Sequence, residues 1–432
     1  MIRKDVLKEI IVLNQNTDFS SVLKRDSELP LDSGKIISVT GVRRCGKTYL
    51  LLHGMKNLLE RKIDKSNLVY INFEDERLYL ETGELDLILQ AYMELYPDNE
   101  LKNVYFFFDE IQNLPGWEKF VRRLYDTVSR HIIITGSNSK MLGSDIAGSL
   151  RGRNINIELF PLSFREYLQF KNIDNNLYLP AGKAVIINSM RDYLINGGFP
   201  EVINTGFHQK ILQDYFYVML YKDLIERYNI KNVAALKYFL NRIVISTGKP
   251  ASIHKIYNEL KSAGYKISKD SLYLFADYAE TAYFSFRLSK FNYSFIKQEQ
   301  SEKKIYFIDN GLLNSLTWQF SDNFGSLLEN VVFLHLHRRY RNNLFFYKEQ
   351  TECDFVVFDK DKPADLIQVS YDISNKATLA REISGLENAA EYFNIRKGKI
   401  ITLDSELETF ISSKGVEIET IPVYKWLLQE GS

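Results

Sequence analysis

Gly41-Val42-Arg43-Arg44-Cys45-Gly46-Lys47-Thr48 is an octapeptide of the pattern G-x-x-x-x-G-K-[ST]. Glycines at its two ends let the backbone turn tightly, so that successive N–H groups converge on the α- and β-phosphates of a nucleotide. In that pattern Lys47 reaches the β- and γ-phosphates and the Thr48 hydroxyl takes a place on Mg²⁺, with Val42, Arg43, Arg44 and Cys45 forming the span between the glycines. The flanks support the reading. Lys35-Ile36-Ile37-Ser38-Val39-Thr40 is a β-branched, apolar run that predicts a buried strand. Tyr49, Leu50, Leu51, Leu52, Met55, Leu58 and Leu59 then recur at the spacing of one helical face. Strand, glycine loop and helix in this order predict a phosphate-binding α/β domain.

Working outward, Val104-Tyr105-Phe106-Phe107-Phe108 predicts a second strand that ends in Asp109-Glu110. A carboxylate at the C-terminal edge of such a strand can hold the magnesium shell, and its neighbour can orient and deprotonate a water. Asp109 is assigned to Mg²⁺ and Glu110 to the water. Leu68–Phe73 and His131–Thr135 predict two further strands, the latter running into Gly136-Ser137-Asn138. A polar group at that strand end can meet the γ-phosphate or the attacking water; Asn138 is the first candidate and Ser137 the second. Leu150-Arg151-Gly152-Arg153 precedes another β-rich stretch, Ile155 to Leu159. Arginine neutralises charge developing on a transferring phosphoryl group, from the same chain or a neighbour, so Arg153 and then Arg151 are candidates. Repeated βα alternation predicts a parallel sheet with helices on both faces.

Composition bounds the rest. The 432 residues suffice for two or three domains, and 55 basic residues balance 55 acidic ones, so net charge advertises neither nucleic acid nor membrane. Two cysteines, Cys45 and Cys353, exclude a disulfide framework or a cysteine-rich zinc site. No apolar run reaches the ~20 residues of a membrane span, and Met1-Ile2-Arg3-Lys4-Asp5-Val6 does not read as a signal peptide. A soluble, cytoplasmic protein is expected.

Six stretches together resemble a family of prokaryotic AAA-type ATPases whose C-terminal part is a domain of unknown function related to restriction endonucleases. They are Thr40 to Thr48, Phe108-Asp109-Glu110-Ile111-Gln112, Ile134-Thr135-Gly136-Ser137-Asn138, Leu150-Arg151-Gly152-Arg153, Pro161-Leu162-Ser163-Phe164 and Gly197-Gly198-Phe199-Pro200-Glu201. The resemblance implies ATP with Mg²⁺, its hydrolysis and three parts. These are an ATPase domain at 1–190, a helical and winged-helix-like connector at 191–310, and a restriction-endonuclease-like domain at 311–432. The preference for adenine rests on the resemblance alone.

In the connector, Ala235 to Thr247 predicts a helix stopped by Gly248-Lys249-Pro250, Ser252 and Ser268 cap two more, and Tyr283–Leu288 pairs with Lys304–Ile308. Helix, turn, helix and hairpin is the winged-helix order. Its second helix carries Asp270, Asp277 and Glu280 against Lys269, which disfavours a DNA reader, although Lys290, Lys297, Lys303 and Lys304 could touch a nucleic-acid backbone. In the last part, a helix from Phe324 to Tyr340, three strands, a helix and a strand give an αβββαβ order. With that order, Glu329 and Asp354 resemble the metal-holding acids of the nuclease core. The third position departs from the pattern: Gln368-Val369-Ser370 stands where an acid and a lysine are needed, and Gln368 offers only a neutral carbonyl oxygen. Lys348 or Lys376 could supply the missing ammonium. His335 and His337, two apart on a helix, face different ways and read as packing or surface residues.

The primary expectation is therefore an ATP-hydrolysing switch coupled to a degenerate nuclease-like domain, acting as a homo-oligomer or on an unknown protein partner. The alternatives are a nucleotide-regulated nuclease on DNA or RNA, with Glu329, Asp354 and Gln368 around a metal, and an ATP-binding module without turnover.

Overall fold

The computed structural model describes the chain except for residues 1–3, 20–21, 138–149, 151, 175–179, 317–323 and 430–432. Two compact units result, Met1–Phe160 and Pro161–Ser432.

In the first unit five strands, β1 (Ile36–Gly41), β2 (Leu68–Asn72), β3 (Tyr105–Asp109), β4 (Ile132–Gly136) and β5 (Asn154–Leu159), form one sheet in the order β2-β3-β4-β1-β5. Every pairing is parallel. The strands that the apolar runs predict are present, with ends within one residue. β1, β3 and β4 are buried along their whole length, because helices cover both faces. The sheet order sets the site: β4 separates β1 from β3, so all three send their C-terminal ends to one edge.

The Lys4–Gln15 helix has no counterpart in the sequence reading. It covers the edge strand β2: Asn14 Nδ2 donates to Tyr70 O at 3.0 Å and Gln15 Nε2 to Leu68 O at 3.0 Å. Two carbonyls that an open edge would expose are thereby closed.

The second unit opens with the Phe164–Phe170 helix. Ser163 caps it, accepting from Glu166 N while the Glu166 carboxylate accepts from Ser163 N. This reciprocal capping box accounts for the Pro161–Phe164 stretch. The Gly197-Gly198 pair ends the Pro180–Asn196 helix, and Gly197 lies at φ +73°. A Cβ there would stand 2.1 Å from the Asp309 carboxylate, which accepts from Gly198 N at 2.7 Å and Leu312 N at 3.0 Å. Burial pushes Asp309 up to about 6 despite these donors. Next in chain, Asn310 donates to Leu194 O and Leu327 O, and Asn330 closes the network on Asn310.

Helices Ile253–Ser262 and Lys269–Thr281 lie between the first two strands of a three-stranded sheet of β6 (Pro250–Ala251), β7 (Ser285–Ser289) and β8 (Lys303–Phe307), ordered β6-β8-β7 and antiparallel. The acids Asp277 and Glu280 do not stand bare on the second helix: Arg287 of β7 bonds to both. The larger sheet joins β9 (Leu344–Lys348), β10 (Glu352–Asp359), β11 (Lys362–Ser370), β12 (Lys397–Thr402), β13 (Phe410–Ile411) and β14 (Glu417–Pro422) in the order β13-β14-β12-β11-β10-β9. β9 to β11 are antiparallel, whereas β11, β12 and β14 run parallel. Helix Phe324–Tyr340 precedes β9 and helix Lys376–Phe393 links β11 to β12, the expected αβββαβ order. His335 lies beside Trp426 and His337 against Phe286 and Phe333, so both are packing residues.

Candidate functional site

The Gly41–Thr48 loop leaves β1 and enters the Lys47–Glu60 helix through Gly46, which sits at φ 102° in the left-handed region with no side-chain cap. No acid lies in the helix's first turn, so its positive end faces the loop without competition. At Gly41 a Cβ would come within 2.1 Å of Leu159 O on β5. That close approach is what this glycine permits.

Lys47 is buried and folds back over the loop, donating to Gly41 O and Val42 O at 3.3 Å each. Its ammonium pairs with Glu110 Oε1 at 3.3 Å. Burial works against that charge, but Glu110 and Asp109 outweigh it and raise the lysine above its ordinary value. Glu110 shows the converse: burial favours its neutral form, yet Lys47, Gln112 and Arg43 hold the carboxyl below the usual glutamate range. Gln112 Nε2 donates to Glu110 Oε2 at 2.5 Å. Glu110 itself lies at φ 49°, a left-handed conformation at the turn that follows β3.

Asp109 gathers three hydroxyls. Thr48 Oγ1 donates to Asp109 Oδ2 at 2.6 Å, Tyr70 Oη donates to the same oxygen at 2.9 Å, and Thr135 Oγ1 donates to Oδ1. Thr135 also accepts from Glu110 N at 2.8 Å, so β4 positions both acids. A hydroxyl and a carboxylate oxygen side by side are a hard-oxygen donor set, and they fit Mg²⁺. Burial raises the Cys45 thiol, which keeps it protonated and inert inside the loop.

Ser137, just past β4, is buried and its Oγ has no partner among the described residues. Asn138 and Arg151 lie outside the described residues. Arg153 lies far from its own chain's loop. Its carbonyl accepts from Ile36 N, at the start of β1, and its guanidinium pairs with Asp126 at 2.9 Å. Five residue steps of strand, about 17 Å, separate that end from Gly41. Arg153 is therefore not part of its own chain's site. Arg43 pairs with Glu74 at 3.0 Å and Arg44 adopts φ 67°.

Three residues escaped the sequence reading. Tyr70 and Thr135 are polar groups inside strands buried on both faces, where each hydroxyl must find a partner; that is the signal that could have found them. Arg25 carries no such signal. It is buried and donates to Cys45 O at 2.8 Å and Phe160 O at 2.9 Å, pinning the loop from behind.

The second unit holds another polar centre. Glu329 and Asp354 do come together, joined by Glu352, but around an ammonium. Lys304 Nζ lies 3.0 Å from Glu329, 2.7 Å from Glu352 and 2.9 Å from Asp354. Tyr306 Oη donates to Glu329 Oε1 at 2.6 Å. Burial opposes the Lys304 charge, yet the acids raise it well above the ordinary lysine value; burial pushes Glu329 up to about 7. Lys304 is thus no surface residue able to touch nucleic acid. Gln368 is turned away from this centre: its Oε1 accepts from Asp354 N, and its Nε2 donates to Glu352 O and Glu382. Lys348 pairs with Glu352 at the rim. Among the described residues, no group of three or more His, Cys, Asp or Glu side chains is arranged to hold a metal ion. No helix among them is long and apolar enough to cross a membrane.

Comparison with known proteins gives three family matches: an AAA domain at residues 33–168, and domains of unknown function at 187–323 (DUF8612) and 324–424 (DUF4143). The sequence is 38% identical to the uncharacterized protein MJ1544 of Methanocaldococcus jannaschii, over 99% of this chain and 96% of that one. It is 29% identical to an uncharacterized protein of Haemophilus influenzae, over 92% of this chain and 95% of that one. Among solved structures, the Aeropyrum pernix ORC1 protein in complex with DNA aligns with 74% of this chain and 92% of its own, at 12% identity and a TM-score of 0.30.

Proposed function

The chain belongs to the same family as its Methanocaldococcus jannaschii relative, and from that premise and its AAA domain we propose an ATP-binding, ATP-hydrolysing switch. The observation that carries the proposal is the meeting of Lys47, Thr48, Asp109 and Glu110 at one edge of the parallel sheet. The loop N–H groups and Lys47 would take the phosphates. Thr48 and Asp109 would hold Mg²⁺, which when bound neutralises phosphate charge.

The remaining steps belong to the protein's own groups. Lys47 leaves Glu110 when phosphates offer it a denser negative charge. Glu110, ionised at neutral pH and still held by Gln112, then orients and deprotonates the water. Thr135 keeps Asp109 and the Glu110 backbone in register. Ser137, whose buried hydroxyl has no partner among the described residues, is the described candidate for meeting the γ-phosphate or that water. Arg153, remote from its own loop, acts only from a neighbouring subunit, which ties turnover to a homo-oligomer.

On this reading residues 1–190 hydrolyse ATP, residues 191–310 transmit the nucleotide state, and residues 311–432 receive it as a nuclease-like scaffold for a partner. The test is steady-state Mg-ATP hydrolysis, with and without single- and double-stranded DNA and RNA, against Lys47→Ala. Turnover lost in Lys47→Ala supports the switch, and stimulation by one polymer assigns the partner class. Turnover no higher than in Lys47→Ala under every condition refutes the hydrolytic reading.

A further inference from the structure

The acidic centre of the second unit contains its own cation. Lys304 projects from β8 with a side chain only 1% exposed, and its Nζ touches three carboxylates at 2.7–3.0 Å. These acids come from two places in the chain: Glu329 from the helix before β9, and Glu352 and Asp354 from β10. An ammonium equidistant from three carboxylates takes the position that a hard divalent ion would need.

The second oxygens of two of the acids are also engaged. The second oxygen of Asp354 accepts from Val369 N at 3.0 Å, and that of Glu352 accepts from Lys348 at 2.8 Å. Glu329 Oε1 takes Tyr306 as well as Lys304. Gln368, the one neutral ligand the sequence offered, spends both ends of its amide on β10 and Glu382. The arrangement does not fit a metal ion as it stands.

We propose that Lys304 is the resident cation of this centre, closing it to divalent metals and fastening the β7–β8 hairpin to the six-stranded sheet. The same strand supplies Tyr306, so withdrawing β8 removes both donors at once. A second attachment runs beside it, where Phe291 N donates to Phe346 O at 2.7 Å. The proposal does not depend on ATP turnover.

The test is Mn²⁺ binding followed by electron paramagnetic resonance, on the full chain without nucleotide. Thr48→Ala is present throughout to remove binding at the phosphate loop. With Lys304 in place, the chain is expected to bind no Mn²⁺ at this centre, and millimolar Mn²⁺ or EDTA leaves its melting temperature unchanged. Lys304→Ala gains one Mn²⁺ site, at least tenfold tighter than any background, and adding Asp354→Asn abolishes it. If Lys304→Ala does not fold, Lys304→Met preserves the stem's packing and carries the same expectation. Tight Mn²⁺ binding with Lys304 present and lost on Asp354→Asn would overturn the proposal, as would a folded lysine variant that gains no site.

Discussion

Replacing Glu110 by glutamine separates two jobs that the structure gives one carboxylate. Glu110 is the partner of a buried ammonium, Lys47, at 3.3 Å. At an effective dielectric of about 20, two unit charges at that distance attract by about 5 kcal/mol. A glutamine carbonyl retains part of this through its dipole, so the loss falls to roughly 2–3 kcal/mol, below the ~3–5 kcal/mol of removing one side of a buried pair outright. That cost falls on the free state. In the complex Lys47 faces phosphates and no longer needs Glu110, so the difference appears as binding free energy. Glu110→Gln should therefore melt lower without ligand and bind Mg-ATP about 30–150-fold more tightly. Its turnover should drop by about 10²–10⁴, because the amide cannot take the proton. Fluorescent-nucleotide titration reads the affinity, and phosphate release reads the turnover. Affinity unchanged or weakened in a folded Glu110→Gln protein would refute the idea that Lys47 is held in reserve by this glutamate.

Three further outcomes are expected. Arg25→Met removes two charged hydrogen bonds to buried carbonyls and should cost about 2–4 kcal/mol in denaturant unfolding, with weaker nucleotide binding; unchanged stability would show that Arg25 does not brace the loop. Gly197→Ala combines a left-handed backbone with a Cβ 2.1 Å from Asp309 and should cost about 3 kcal/mol or more, whereas Gly206→Ala, with nothing within 4 Å, should change stability by less than about 1 kcal/mol. Asp309, raised to about 6, contributes stability that is complete below its unfolded value near 3.8 and lost as pH rises through about 6. The loss amounts to about 3 kcal/mol, and Asp309→Asn should flatten the difference curve between pH ~4 and ~6.

What could be read in the sequence follows from how local its cause is. β1, β3 and β4 announce themselves because strands buried on both faces must be apolar throughout, and Gly41 to Thr48 announces itself because the phosphate geometry demands those residue types in one stretch. The capping box of Ser163 and Glu166 spans four residues and is equally local. Long-range partnerships left no such mark. Lys304 meets Glu329 across 25 positions and Asp354 across 50, so an isolated lysine in an alternating strand read as a surface charge. Arg153 is legible in part for the same reason: its chemistry suits phosphate of the same chain or a neighbour, and only the parallel pairing of β5 with β1 shows that it stands at the strand end away from its own loop. Gln368 was placed correctly on β11, yet its amide orientation depends on Glu382, fourteen residues away on a helix.

The most direct test of the account is single-turnover phosphate release from Mg-ATP, measured side by side with equilibrium binding, for the unaltered chain, Lys47→Ala and Glu110→Gln. Binding and release are expected in the first, neither in the second, and binding without release in the third. Release at an undiminished rate from Glu110→Gln, or tight Mg-ATP binding retained by Lys47→Ala, would contradict it.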